Sequence, residues 1–382
     1  MTQTPLYDIV LSAETLAHIK QYKNDISSGK AEAGARMKAA LAKAPPTTEG
    51  FIEALLATKQ PRIFAESEIR ADGTDWNHRE LALLGDINVA MKAEFFDNGA
   101  WSPKDAHFRE HKPPLEGELL FTPGALLNTG AGFDGVSPDE AEVTTGGKID
   151  QKKYDALVER RLLPLLAHAN EAAKKDGKPA FVTLPGLGAG AFAGRFRGQM
   201  GAHLDTALQN LLEKHGHSLP HIGAVYFDPF AECGNFRKDF HGIDYRVRPA
   251  TQNPGRPQLS APEEFQEAGD DFSGYRLYKI VAWDHASLPG NDFFAGARQT
   301  DDGVSAAASD SMKTVTGVSG TYAHGRYDPP AGYTTWEEVA DDKGIHLLAR
   351  GNVKIVSHDG TYATLDQHEQ GNARPRRAAP GP

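Results

Sequence analysis

Residues 180–228 read AFVTLPGLGAGAFAGRFRGQMGAHLDTALQNLLEKHGHSLPHIGAVYFD. An unbroken apolar run at 180–184 passes directly into a glycine-rich turn. Residues 199–215 then set Leu204, Ala207, Leu208, Leu211 and Leu212 on one side of a helix, and a second strand-like apolar run follows at 222–228. Strands without polar alternation are buried on both faces, and two of them joined by a helix make a parallel crossover unit. The pattern continues outward. Residues 119–122 read as a short buried strand, 152–175 as a helix with a break or kink near Pro164, and 276–284 as a further strand. The expectation is an α/β fold with a mainly parallel sheet covered on both faces.

Towards the N-terminus, residues 8–43 read as helical, with Ile9, Leu11, Leu16 and Ile19 followed by an Ala-rich run to Leu41, ended by Pro45-Pro46. Residues 51–58 read as a short helix followed by Pro61. The expected organisation is a helical N-terminal extension (1–70), a main domain (71–366, mixed and strand-like over 344–365) and a disordered tail (367–382) ending GNARPRRAAPGP.

At 382 residues, 40% hydrophobic and 24% charged, the chain can bury one large core or two modest ones. A formal net charge of −10 argues against nucleic acid as the main partner. It leaves room for a phosphorylated small molecule or a basic protein. The single cysteine, Cys233, excludes an internal disulfide and a Cys-rich zinc site. It reads as a small buried filler or, alternatively, a catalytic thiol. The start MTQTPLYDIV lacks a basic region followed by an apolar core, and no apolar run approaches the ~20 residues that span a bilayer. The expectation is a soluble protein without a membrane partner, cytoplasmic or exported by machinery that needs no N-terminal signal.

In open parallel sheets the ligand lies beyond the carboxyl ends of the strands. Three informative loops follow such ends, after Leu184, Asp228 and Trp283. The first holds Gly186, Leu187, Gly188, Ala189, Gly190, Ala191 and Phe192 ahead of a helix. Its amides suit a pyrophosphate, with Arg195 and Arg197 adding charge; the structural alternative is a tight turn. Gly188, Gly190 and Ala193 also fit a dinucleotide fingerprint, but its acidic partner is expected ~20 residues on and Asp228 lies about twice as far. Asp86, in Gly85-Asp86-Ile87, could meet an adenine amine or serve as a turn or cap residue.

The third loop lies in YRLYKIVAWDHASLPGNDFFAGARQTDDGVSAAASDSM (275–312), which carries Asp284, Asp292, Asp301 and Asp302. Asp284 could be a turn residue and Asp301 a helix cap; Asp292 has no evident structural duty beyond an Asx-turn. His285 and His324 are possible acid–base groups or surface residues. Paired carboxylates suit cleavage at an anomeric carbon, bidentate binding of a guanidinium, or coordination of Mg²⁺.

The GDI at 85–87, the loop LPGLGAGAFAG (184–194) and the run AWDHASLPGNDFF…TDDGVSAAASDSM together resemble the macrodomains, most nearly the MavL-type ADP-ribosylhydrolases, a branch that includes bacterial effectors. The resemblance spans about 75–345. It implies a three-layer α/β/α fold with a mixed, mainly parallel sheet; the N-terminal helical extension and the C-terminal tail fall outside it. It implies removal of ADP-ribose from protein arginine side chains, ubiquitin being one carrier, with no cofactor or metal. It also implies delivery to a host cytoplasm as a signal-less effector. Asp86 would meet the adenine, and residues 186–194 would wrap the pyrophosphate. Asp284, Asp292 and Asp302, with Asp301, Asn291 and Phe293 nearby, would surround the distal ribose and the arginine linkage. Phe230 and Phe133 are candidates to stack on adenine. The chain lacks the Gly-Gly-Gly…Gln-Glu-Glu pattern of poly-ADP-ribose glycohydrolases and the Asn-rich segment of simpler macrodomains. The competing readings are a non-catalytic ADP-ribose reader and a Mg²⁺-dependent phosphatase or hydrolase.

Overall fold

The computed structural model describes residues 5–64, 68–128 and 135–373. Ten strands form one sheet: β1 (Tyr7–Ser12), β2 (Asn88–Asp97), β3 (Glu110–Pro123), β4 (Ala180–Pro185), β5 (Ile222–Asp228), β6 (Phe236–Phe240), β7 (Ile243–Val247), β8 (Arg276–Trp283), β9 (Val353–Val356) and β10 (Tyr362–Thr364). Their spatial order is β10-β9-β1-β2-β3-β8-β4-β5-β7-β6. The run β3-β8-β4-β5-β7 is parallel throughout, and β1 pairs parallel with β9. β2, β6 and β10 run antiparallel to their neighbours. The sheet is therefore mixed and mainly parallel, as the apolar runs implied.

The helices are α1 (Ala13–Ser27), α2 (Ala35–Leu41), α3 (Thr48–Leu56), α4 (His78–Gly85), α5 (Pro138–Val143), α6 (Gln151–Asp176), α7 (Met200–His215), α8 (Asp301–Ala307), α9 (Ser311–Thr316), α10 (Trp336–Lys343) and α11 (Leu365–Ala373). On one face, Leu162 and Leu166 of α6 and Leu208 and Leu212 of α7 join Val182, Val225 and Ile280 in one core. On the other, Ile19, Leu55, Leu84 and Met312 join Ile9, Phe121 and Val281. Three layers result.

Four expectations are corrected. Residues 7–12 are not helical: β1 lies inside the sheet, and the helix starts only after its cap, Ser12, whose hydroxyl accepts from the Thr15 amide at 2.9 Å. A short apolar run such as Ile9-Val10-Leu11 carries no period that separates strand from helix. Pro164 does not break α6; burial of Leu162, Leu163, Leu165 and Leu166 outweighs the ~3 kcal/mol a helical proline costs. β3 begins at Glu110, well before the expected start, because its first half is an exposed ribbon against β2. The described part of the C-terminal tail, to Ala373, belongs to α11; residues 374–382 lie outside the described residues.

Candidate active site

The carboxyl ends of β3, β8 and β4 lie side by side, with Trp283 in register with Pro123. Three loops leave from there: 124–128, 186–194 and 284–300. The first two pack backbone to backbone. The Leu127 amide donates to the Phe192 carbonyl at 2.7 Å. Gly188 has φ +69°, and a Cβ there would lie 2.9 Å from the Ala125 carbonyl; at Gly194, φ +49°, one would lie 2.7 Å from that of Leu127. These two glycines are thus required by loop–loop contact. Gly190 differs: a Cβ there meets nothing within 4 Å, and Gly190 and Ala191 are exposed. Gly186 and Ala189 are half-buried, and Phe192 is half-buried with its ring 6.3 Å from that of His285. Leu187 points into the core, so its side chain takes no part in a ligand cradle. Arg195 is already paired with Glu140 at 2.6 Å.

The aspartates come together but are not equivalent. An ionised carboxylate has about four acceptor sites. Asp284 uses all of them within its own loop. It accepts from the amides of Ala286 and Ser287 at 2.7 Å each, from the Ser287 hydroxyl, and from Asn291 Nδ2 at 2.8 Å. Asp292 accepts from the Gln299 and Thr300 amides at 3.0 and 3.3 Å and from the Thr300 hydroxyl. It therefore folds the 292–300 turn, a structural duty the sequence did not reveal. Asp302 accepts from the Gly290 amide at 2.7 Å through Oδ1, while Oδ2 is buried without a hydrogen-bond partner among the described residues. Burial, then Asp292, Asp284 and Asp301 as like charges, push the Asp302 carboxyl well above the usual carboxylate range. Both effects favour its protonated form.

Asp301 is not part of this constellation. The cap of α8 is Thr300, and Asp301 instead binds the buried Lys279 ammonium at 2.9 Å and the Ala282 amide at 2.8 Å, fastening α8 to β8. Asn291 is likewise structural: its Oδ1 accepts from the Ile63 amide at 2.9 Å. Phe293 is fully buried in the core rather than open to a ligand. Asp86 caps the C-terminus of α4, and its two oxygens meet Arg160 at 2.6 Å and Arg161 at 3.0 Å, so this buried carboxylate serves the arginines and not, as expected, an adenine amine. Phe133 lies outside the described residues. Phe230 is 70% exposed at the carboxyl end of β5, held at φ 58°, in a loop whose Pro229 lies beside Gly186. Asp228 is tied to the Phe230 and Ala250 amides at 2.8 Å and is no ribose ligand of the dinucleotide type. Burial, Asp205 and Glu232 push the Cys233 thiol up to about 11, which counts against a catalytic thiolate, while the side chain is half-buried rather than the fully buried filler expected.

Sequence reasoning missed the burial of His285 and missed Lys59 altogether. His285 is buried, not superficial: its Nε2 lies 3.1 Å from Asp139, which also binds Arg161 at 2.7 Å and the Leu126 amide at 2.8 Å. Although burial opposes it, Arg161 and His285 hold the Asp139 carboxyl far below its usual range. This ion cluster ties the aspartate loop to the 124–128 loop. Lys59, only 3% exposed, donates to the carbonyls of His285 at 2.8 Å and Asp284 at 3.3 Å, and sits 3.8 Å above the Trp283 ring. Burial lowers it to about 7, with Asp284 and Asp302 opposing. Gln60 exchanges backbone hydrogen bonds with Ala286 (2.8 Å) and Leu288 (2.6 Å). The N-terminal helices thus brace the aspartate loop. Two cavities of about 520 and 490 Å³ lie elsewhere, one against Tyr322 and Lys112, the other against His168 and Tyr362, and neither touches either loop.

A three-layer α/β/α body with a glycine-rich loop and a carboxylate cluster at the strand ends is that of a macrodomain. Residues 7–333 match the family described as "Macrodomain effector MavL", and the chain belongs to that family. The match includes the N-terminal helices, which the resemblance from sequence had left outside. The chain is also similar to an ADP-ribosylarginine hydrolase of Drosophila melanogaster, 31% identical over 134 residues, covering 34% of this chain and 25% of that protein. The chain thus spans about a quarter of that relative's length. Among the described residues no helix is long and apolar enough to cross a membrane.

Proposed function

We propose that this protein hydrolyses the N-glycosidic bond between ADP-ribose and an arginine side chain of a protein, ubiquitin being one candidate carrier, after delivery into a host cytoplasm. The observation that carries the reading is Asp302, a buried acid with a partnerless oxygen among carboxylates that are already hydrogen-bonded. Asp302 gives its proton to the departing guanidine nitrogen as the bond to the anomeric carbon breaks. Water adds to that carbon, and its proton passes to the remaining acceptor site of Asp292. Asp284 positions the loop. Gly190 and its neighbours lie against the pyrophosphate, and Phe230 stacks on the adenine. A Mg²⁺ role for Asp284 fits poorly, since its acceptor sites are taken by N–H and O–H donors.

The test uses free ADP-ribosylarginine and arginine-ADP-ribosylated ubiquitin, with released ADP-ribose followed by mass spectrometry. Release by the native chain and none by Asp302→Asn is expected. Undiminished release by Asp302→Asn would overturn the mechanism. ADP-ribose binding without release from either substrate would make the protein a reader.

A further inference from the structure

Away from the aspartates, three side chains from distant parts of the chain converge where α6, the end of α7 and the turn after β9 meet. They are Glu159, His215 and His358, whose ligating atoms all lie within 4.8 Å of one another. His215 Nε2 and His358 Nδ1 approach the same oxygen of Glu159, at 3.1 and 3.2 Å. The two imidazoles meet edge to face with centroids 5.5 Å apart. Neighbouring donors around a tetrahedral zinc with bonds of ~2.0–2.1 Å sit about 3.3 Å apart, close to what Glu159 already keeps with each histidine. We propose that Glu159, His215 and His358 form a binding site for a divalent transition-metal cation, with Zn²⁺ the best match to two imidazoles and a carboxylate.

The surroundings agree. Burial holds the His215 imidazole below its ordinary range, opposed in part by Glu159. Burial would raise the Glu159 carboxyl, but hydrogen bonds from Lys214 and His215 outweigh it and hold the group ionised. A cavity of about 280 Å³, lined by Glu159, Lys214 and His358 among others, leaves an open side for water as fourth ligand. Lys214 Nζ is the present counter-charge, 2.9 Å from Glu159. Its side chain is 48% exposed, so it can turn into solvent when the cation takes its place. A bound ion would pin the β9–β10 turn, at the sheet edge, to the helices covering the sheet.

The experiment titrates ZnCl₂ into metal-free full-length protein by calorimetry, with thermal unfolding in parallel. The expected result is one Zn²⁺ per chain and a higher Tm. Glu159→Gln and His358→Ala should each weaken binding by more than the roughly 10–100-fold that an outer-shell partner is worth. The His358 side chain is 76% exposed, so its removal leaves the fold intact. Absence of stoichiometric uptake would overturn the proposal. So would uptake unchanged in both variants, which would place the ion elsewhere, for instance at the His217–His241 pair, whose rings are 5.9 Å apart.

Discussion

Replacement of Lys59 by methionine separates what a buried charge costs from what its hydrogen bonds contribute. Lys59 is lowered from 10.5 to about 7, chiefly by burial. That difference corresponds to about 5 kcal/mol at most, and at pH 7 roughly 4 kcal/mol of it is felt, since the folded group is then half-protonated. Methionine fills a similar volume without charge but leaves the Asp284 and His285 carbonyls without this donor, a loss of ~1–3 kcal/mol. The expected net effect is a gain of about 1–3 kcal/mol in unfolding free energy near pH 7. The sign of the pH dependence follows. Between about 7 and 10.5 the unfolded chain keeps a proton that the folded chain has released, so native stability from this group rises with pH at up to ~1.4 kcal/mol per unit. Below about 7 both states hold the proton and the contribution is flat. The Lys59→Met advantage should therefore be greatest at or below pH 7 and shrink as pH rises. Urea unfolding of both proteins at several pH values measures it. A variant less stable than the native chain across the whole range would refute the reasoning, because Lys59 would then be a net stabilising ion.

Asp284→Ala removes the acceptor for two buried amides, a hydroxyl and an asparagine. It should destabilise by about 3 kcal/mol or more in urea unfolding, whereas Asp302→Asn should leave stability equal or higher. Equal losses in the two would contradict the division of roles. Gly188→Ala sets a Cβ 2.9 Å from the Ala125 carbonyl at φ +69° and should lower Tm by the equivalent of at least ~1–2 kcal/mol, read by thermal unfolding. Phe230→Ala should weaken ADP-ribose binding, read by calorimetry, with little change in Tm, since the ring is exposed and its φ of 58° is unfavourable for any side chain. Unchanged affinity would remove Phe230 from the adenine subsite.

Much of this protein is legible along the chain. The unalternating runs at 180–184 and 222–228 report strands buried on both faces, and the leucines of 199–215 report the helix between them, because both periods are local. The aspartates at 284, 292 and 302 are likewise visible as a cluster. Their ranking is not. Which carboxylate keeps an oxygen without a partner among the described residues depends on how the 284–300 loop folds back: Asp302 does, whereas Asp292 is drawn into the 292–300 turn. Asp86 does cap a helix, but the arginines that hold it, like the lysine that holds Asp301 in place of a cap role, come into contact only in the fold. Lys59 could not be associated with the site at all, since 225 residues separate it from Asp284. The sequence by itself determined the class of fold and the residue types at the strand ends, through periodicity and backbone chemistry acting over a few residues. Only the tertiary structure decided which charges are neutralised, buried or left unpartnered, because those states depend on desolvation and on neighbours that the chain brings together from far apart.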